Sequence, residues 1–211
     1  MPLVSQLNFS SLLSYCRKGK GDLQKKYQST VVNIKNGDPR VIQKAMERLN
    51  SLSEYAAQVF PVGAILVPVP RSIPNPPKGE ILTPALLIAE ALLASSKGSE
   101  IERLLYRKDR VNKSAVSSSK DRPKAIEHYN SLGCDQKLLP ENLNIVLVDD
   151  VITRGATVIG CASRIKEVYP GATITAFALV RAWADMPDRS PMLTPTLGIV
   201  TVREGECYRE P

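Results

Sequence analysis

Apolar positions recur at helical spacing along the first quarter of the chain. In "DLQKKYQSTVVNIKNGD", Leu23, Tyr27, Val31 and Ile34 fall four and three residues apart, a stripe that Asn36-Gly37 closes. A second stripe, Val41/Ile42, Ala45, Leu49, Leu52 and Ala56, runs through "DPRVIQKAMERLNSLSEYAAQVF", with Asp38 as its cap and Pro39 at its first position. Residues 1–60 therefore read as a helical segment whose stripes are packing surface.

The pattern changes at residue 63. "GAILVPVP" is a short, continuous apolar run of the kind a strand buried on both faces requires. A Pro-rich turn, "RSIPNPPKGEIL", separates it from "TPALLIAEALLAS", a helix with Thr83 to cap it and Pro84 in its first turn. "IERLLYR" predicts another strand, and residues 107–125, basic and Ser-rich, predict a long loop. "NIVLV" (144–148) is a second buried strand. A helix follows from about Ala156 to Tyr169, stopped by Pro170-Gly171, and "ATITAFALV" is the next strand. Alternation of apolar strands with helices predicts an α/β fold, its central sheet mostly parallel and flanked by helices. Ligands in such sheets sit beyond the carboxyl ends of the strands. Asp149 and Asp150 occupy one such end; Arg71 and Ser72 follow another. The tail, 181–211, holds Trp183 and a strand candidate, "TLGIVTV".

Composition narrows the classes. With 43% hydrophobic and 23% charged residues over 211 positions, the chain suits one sizeable globular domain with a small appendage. No apolar run approaches the ~18 residues of a membrane span. The first residues lack a charged stretch ahead of their apolar part, which argues against a signal peptide, so a cytoplasmic protein is expected. Four isolated cysteines (16, 134, 161 and 207) form no CxxC pair and are expected to be reduced thiols. A net charge of +7 favours anionic ligands, while only 5% aromatic residues argue against a single-strand nucleic-acid platform.

The chemistry concentrates in residues 144–160, "NIVLVDDVITRGATVIG". If strand, turn and helix follow one another there, the backbone N–H groups of Arg154, Gly155, Ala156 and Thr157 belong to the first, unpaired turn of a helix, where a phosphate binds. Gly155 permits the tight turn, and Thr153 and Thr157 add hydroxyls. Asp149 and Asp150, as carboxylates, accept hydrogen bonds from a vicinal diol. A ribose 5-phosphate carries both groups at that spacing. Neither GxxxxGK[ST] nor GxGxxG occurs. The plainer alternative is that Asp149 caps the helix and the threonines solvate a loop.

"IVLVDDVITRGAT" also resembles the thirteen-residue phosphoribosyl pyrophosphate signature of type I phosphoribosyltransferases: four apolar residues, two acids, two apolar residues, then Thr-x-Gly-x-Thr. "ILVPVPRS" resembles the pyrophosphate loop of the same family, particularly its ComF/amidophosphoribosyltransferase-like branch. The resemblance covers 63–72 and 144–181, and not residues 1–60. It implies a type I phosphoribosyltransferase-like fold with an N-terminal helical segment (1–60), a core (61–180) and a small hood or tail (181–211).

By position, the resemblance implies that Asp149 and Asp150 hold the ribose hydroxyls and serve catalysis, and that Thr153, Arg154, Gly155, Ala156 and Thr157 cradle the 5-phosphate. Arg71 and Ser72 face the pyrophosphate, residues 107–125 close over the site, and Mg²⁺ is held mostly by ligand and water. Lys108, Arg110 and Lys113 are candidate loop cations, set against a reading as solvated surface charge. Arg154 stands where many relatives have threonine. The branch's Cys-rich zinc segment and its Arg-Gly-x-Asn-Gln stretch are absent. His128 is either a general base for an amine acceptor or a surface or packing histidine. The implied activity is phosphoribosyl transfer from phosphoribosyl pyrophosphate to an unidentified nitrogenous acceptor. The alternatives are a ComF-like accessory of DNA uptake or repair and a ligand-sensing regulator. A nucleic-acid partner and a homodimer stay open.

Overall fold

The structure, a computed structural model, describes residues 3–16, 22–74, 82–111, 123–140, 143–183 and 193–211. The Pro-rich turn after residue 74, most of the 107–125 loop including Lys113, and part of the tail lie outside the described residues.

A seven-stranded sheet organises the chain. Its strands are β1 (Gln6–Cys16), β2 (Ile65–Pro68), β3 (Glu100–Ile101), β6 (Asn144–Ile152), β7 (Thr173–Trp183), β8 (Thr196–Arg203) and β9 (Glu206–Glu210), in the spatial order β3-β2-β6-β7-β1-β8-β9. The first five in that order run parallel; β8 and β9 are antiparallel additions at one edge. A separate two-stranded ladder pairs β4 (Leu105–Arg107) with β5 (Leu132–Cys134). The expected α/β fold with a mostly parallel central sheet flanked by helices is present. Among the described residues no helix is long and apolar enough to cross a membrane, and no disulfide joins the cysteines.

Each face of the sheet is covered by its own apolar layer. On one face Leu66, Val146, Val148, Phe177 and Leu179 pack under α1 (Asp22–Lys35), α2 (Pro39–Asn50), α3 (Ser53–Val59) and α4 (Pro84–Ala94). On the other, Ile65, Val67, Ile145 and Leu147 pack under α6 (Ala156–Val168), with α5 (Ala125–Asn130) alongside. The caps read from the sequence form: Asp38 accepts from the N–H of Arg40 and Thr83 from that of Leu86. Val31 and Ile34 of the first stripe, and Ile42, Ala45 and Leu49 of the second, are buried. The second helix breaks at Ser51-Leu52 instead of continuing to Phe60.

One reading needs correction. Residues 1–60 are not a helical segment throughout: Gln6–Cys16 is an eleven-residue strand in the interior of the sheet, paired with β7 on one side and β8 on the other. Burial on both faces removes the alternation that would mark it, and small serines stand in for apolar residues. Two of their hydroxyls are satisfied internally, Ser10 Oγ donating to the Ala176 carbonyl and Ser14 Oγ to that of Thr194, while the buried Ser11 Oγ has no partner among the described residues. Strands of the one sheet thus come from 1–60, 61–180 and 181–211 alike. "IERLLYR" likewise divides, its ends going to β3 and β4 in different sheets.

Because β1 is central, its loss should be felt by the whole fold. Leu12→Ala, at a side chain with no exposed surface, should cost about 2–5 kcal/mol in urea unfolding. Val32→Ala, at a position 53% exposed, should change stability by no more than about 0.5 kcal/mol. Equal effects would contradict the placement of β1.

Candidate functional site

The strand β6 carries the two acids just before its end at Ile152 and hands over to α6 within three residues, Thr153, Arg154 and Gly155. Gly155 adopts φ +89°, and a Cβ there would come within 2.5 Å of Val200 Cγ2. Only glycine combines that left-handed backbone with so close an approach to β8. The first helical bond of α6 runs from Ile159 N–H to the Gly155 carbonyl. The amides of Ala156, Thr157 and Val158 therefore precede the ladder and are open to a ligand, and no side chain of the cap residue covers them. A small cavity of about 30 Å³ lies against this turn, lined by Thr153 to Val158, Asp149 and Pro123.

A larger cleft of about 510 Å³ opens next to it at the carboxyl edge of the sheet. Asp149, Asp150, Thr153 and Thr157 form one wall; Arg71 and Ser72, from the loop after β2, form another. The sequence-predicted residues are thus brought together from positions about 80 apart. Of the turn residues, Arg154 is exposed and Gly155 is buried, and with Ala156 they line the smaller cavity. The Arg154 side chain reaches solvent, so its contribution to the turn is its backbone.

The two acids are half-buried. Asp149 Oδ1 accepts from the N–H of Asp150 at 2.9 Å, and Asp150 Oδ1 accepts from the N–H of Val151 at 2.8 Å. Burial, and then the neighbouring charge of Asp150, raise Asp149 well above the ordinary carboxylate range; Lys35 and the Asp150 N–H offset part of this. Two adjacent carboxyls in a confined space resist carrying two charges until a cation or a hydroxyl donor arrives. Lys35, from the last turn of α1, also lines the cleft, which gives the N-terminal segment a place at the site that its sequence did not suggest.

Two further cleft residues carry information. Arg107, at the end of β4, is 5% exposed and has no carboxylate partner among the described residues. Its Nε donates to the Arg71 carbonyl at 2.9 Å, and its Nη1 to Ser131 Oγ at 2.5 Å and to the His128 carbonyl at 3.4 Å. It thereby ties the loop carrying Arg71 to the β4–β5 ladder, as does the bond from Val111 N–H to the Ser72 carbonyl. A lone arginine at the end of a short strand gives no sequence signal for this, though its place at the start of the basic 107–125 stretch hinted at one.

His128 is the chain's only histidine. It is 4% exposed, lines the cleft, and its Nε2 lies 3.3 Å from Thr157 Oγ1. Burial, and then the charge of Arg107, push its pKa down to about 4. It is therefore neither a surface residue nor remote from the site. Lys108 and Arg110 are exposed and lie outside the cleft lining.

No protein-family model matches the chain, and no curated protein matches it. Solved structures do. An adenine phosphoribosyltransferase is similar over 69% of this chain and 72% of its own, at 15% identity and a TM-score of 0.42. The hypoxanthine phosphoribosyltransferase of Staphylococcus aureus is similar over 70% of this chain and 71% of its own, at 8% identity and a TM-score of 0.38. The adenine phosphoribosyltransferase of Leishmania donovani covers 87% of this chain and 93% of its own, at 11% and 0.37. Similarity at this level assigns neither substrate nor reaction.

The environment of His128 has a readable consequence. Its single C2–H resonance should show no titration between pH 5 and 8, whereas a midpoint near 6.5 would contradict its burial beside Arg107. The folded pKa lies below the unfolded value, so the unfolded chain takes up the extra proton first. The contribution of His128 to stability, on the order of 3 kcal/mol, is complete above pH 6.5 and is lost as pH falls toward 4.

Proposed function

We propose that the cleft binds 5-phosphoribosyl 1-pyrophosphate and that the chain is a phosphoribosyltransferase, passing the phosphoribosyl group to a nitrogen nucleophile. One observation carries the reading: a carboxylate pair and a run of open helix-N-terminal amides border two adjoining openings, and Lys35, Arg71 and Arg107 line the larger one with the acids. The acids accept from the sugar's 2- and 3-hydroxyls, and the amides of the 153–157 turn, with Thr153 and Thr157, hold the 5-phosphate. Arg71 and Ser72 face the pyrophosphate, and Arg107 adds a buried positive charge on that side.

In the transfer, the bond from the anomeric carbon to the pyrophosphate oxygen breaks, its electron pair leaving with pyrophosphate, and the acceptor nitrogen forms the new bond while giving up a proton. The sugar ring carries positive charge in passing. The chain's own contribution is to fix the sugar, offer positive charge to the leaving group and limit water. In this reading Asp149 and Asp150, bonded to the sugar's hydroxyls, lie beside the developing charge.

Mg²⁺ fits this donor set as a shared ion. Among the described residues no cluster of three or more His, Cys, Asp or Glu side chains is placed to hold a metal alone. Asp149 and Asp150 would hold it together with the phosphates of the ligand. When bound, the ion supplies charge neutralisation at the pyrophosphate.

Asp149→Asn combined with Asp150→Asn keeps the side-chain oxygens that accept from the Asp150 and Val151 amides but removes both charges. Calorimetric affinity for phosphoribosyl pyrophosphate should fall at least 100-fold with the melting temperature kept; unchanged affinity would reject the site. Wild-type protein should release pyrophosphate with at least one member of a panel of bases and amines. Tight binding without release across the panel would reduce the function to ligand binding.

A further inference from the structure

Beside the cleft, at the carboxyl end of β7, two guanidinium groups close on one indole. Arg181 is 5% exposed, and its guanidinium carbon lies 4.3 Å from the centre of the Trp183 ring. That of Arg209, on β9, lies 5.2 Å from the same ring. Among the described residues neither arginine has a carboxylate in ion-pair reach. Arg209 donates through Nη1 to the Ile152 carbonyl at 3.2 Å and through Nη2 to that of Ala182 at 2.8 Å. Arg181 donates through Nη2 to Ser14 Oγ at 3.1 Å. Four buried donors stay without a partner among the described residues: Nε and Nη1 of Arg181, Nε of Arg209 and Nε1 of Trp183. Burial, and then the charge of Arg181, hold Arg209 down at about 10, and burial lowers Arg181 as well.

Unsatisfied donors around one buried and one half-buried positive charge are costly, and buried charges are ordinarily paired. Their common complement is an oxyanion, whose lone pairs accept from guanidinium and indole N–H groups alike. Trp183 and Arg209 are half-buried and keep surface in solvent, so the cluster is open from their side. Its position in the sheet relates it to the cleft. Arg181 is in register with Ile152 of β6, the residue before Thr153. Neighbouring strands lie about 4.8 Å apart, so the cluster stands one strand from the turn that holds the phosphate.

We propose that Arg181, Arg209 and the Trp183 N–H form a subsite for a carboxylate carried by the acceptor of the phosphoribosyl group. The word acceptor rests on the function proposed above; the anion subsite does not. The acceptor's ring then lies between the subsite and the anomeric carbon, with its acidic group turned away from the acids of the cleft. Neutral bases would leave the four donors unmatched and be selected against.

Trp183 is the chain's only tryptophan, so its emission reports on the subsite. The full chain is titrated with benzoate, with its neutral counterpart benzamide, and with acetate. A saturable change in emission is expected with benzoate, at least tenfold weaker with benzamide and with acetate. Arg181→Gln should lose it at least tenfold, while Arg181→Lys, which keeps the charge, retains a response and shows that the fold is intact. No response to benzoate, an equal response to benzamide, or an undiminished response in Arg181→Gln overturns the subsite. Acetate as tight as benzoate makes the cluster a free-anion site and overturns the assignment to an acceptor. The Asp149→Asn/Asp150→Asn chain should keep the benzoate response, so a failure of the sugar-phosphate reading is distinguishable from a failure here.

Discussion

The packing of a bare backbone against a valine sets the geometry of the site. Gly155 turns the chain from β6 into α6 with a positive φ, and Val200 on β8 fills the space a side chain would need. Two consequences follow from that contact. The helix begins at once, so its first amides lie past the carboxyl end of the strand with no hydrogen-bond partner among the described residues. The acids, two and three residues before the strand's last residue, Ile152, are also held within a few residues of those amides. A donor-rich turn and an acceptor-rich strand end thereby share one opening, and the edge strand β8 is as much a part of the site as the residues that line it.

Electrostatics divides that opening. Burial, and then the charge of Asp150 beside it, raise Asp149 well above the ordinary carboxylate range. Around them the chain places cations that have no acid of their own among the described residues: Arg107 within the cleft, and Arg181 with Arg209 one strand away. His128, between Arg107 and Thr157, is held neutral by burial and by that guanidinium, so it adds no charge to either side. Charges segregated in this way suit a ligand that is hydroxylic at one end and anionic at others, and suit a neutral or apolar ligand poorly.

The parts of this that were legible in the sequence share a physical reason. The β6–α6 unit announces itself because a fully buried strand, two acids, a glycine and a stripe of apolar residues each leave an unambiguous local mark. Asp38-Pro39 and Thr83-Pro84 are equally local, since a cap and its first turn are adjacent in the chain. β1 leaves no such mark because its distinguishing feature is not local. Its pairing partners lie at residues 173–183 and 196–203, and its serines lower the apparent hydrophobicity of a strand with no exposed face at its centre. β9 has a local mark too: Glu204 and Gly205, both at positive φ, make a two-residue hairpin after "TLGIVTV". Arg107, His128 and Lys35 reach the cleft from three separate elements, and no spacing along the chain encodes that convergence.

The central claim is that the amides between β6 and α6 hold a phosphate. Backbone amide chemical shifts, followed while ribose 5-phosphate is added to the labelled protein, address it without any need for an acceptor or for turnover. The account predicts that the largest shifts, saturating together, belong to Arg154, Gly155, Ala156 and Thr157, with Val158 at their margin. A titration that saturates elsewhere while those amides stay unmoved would contradict it.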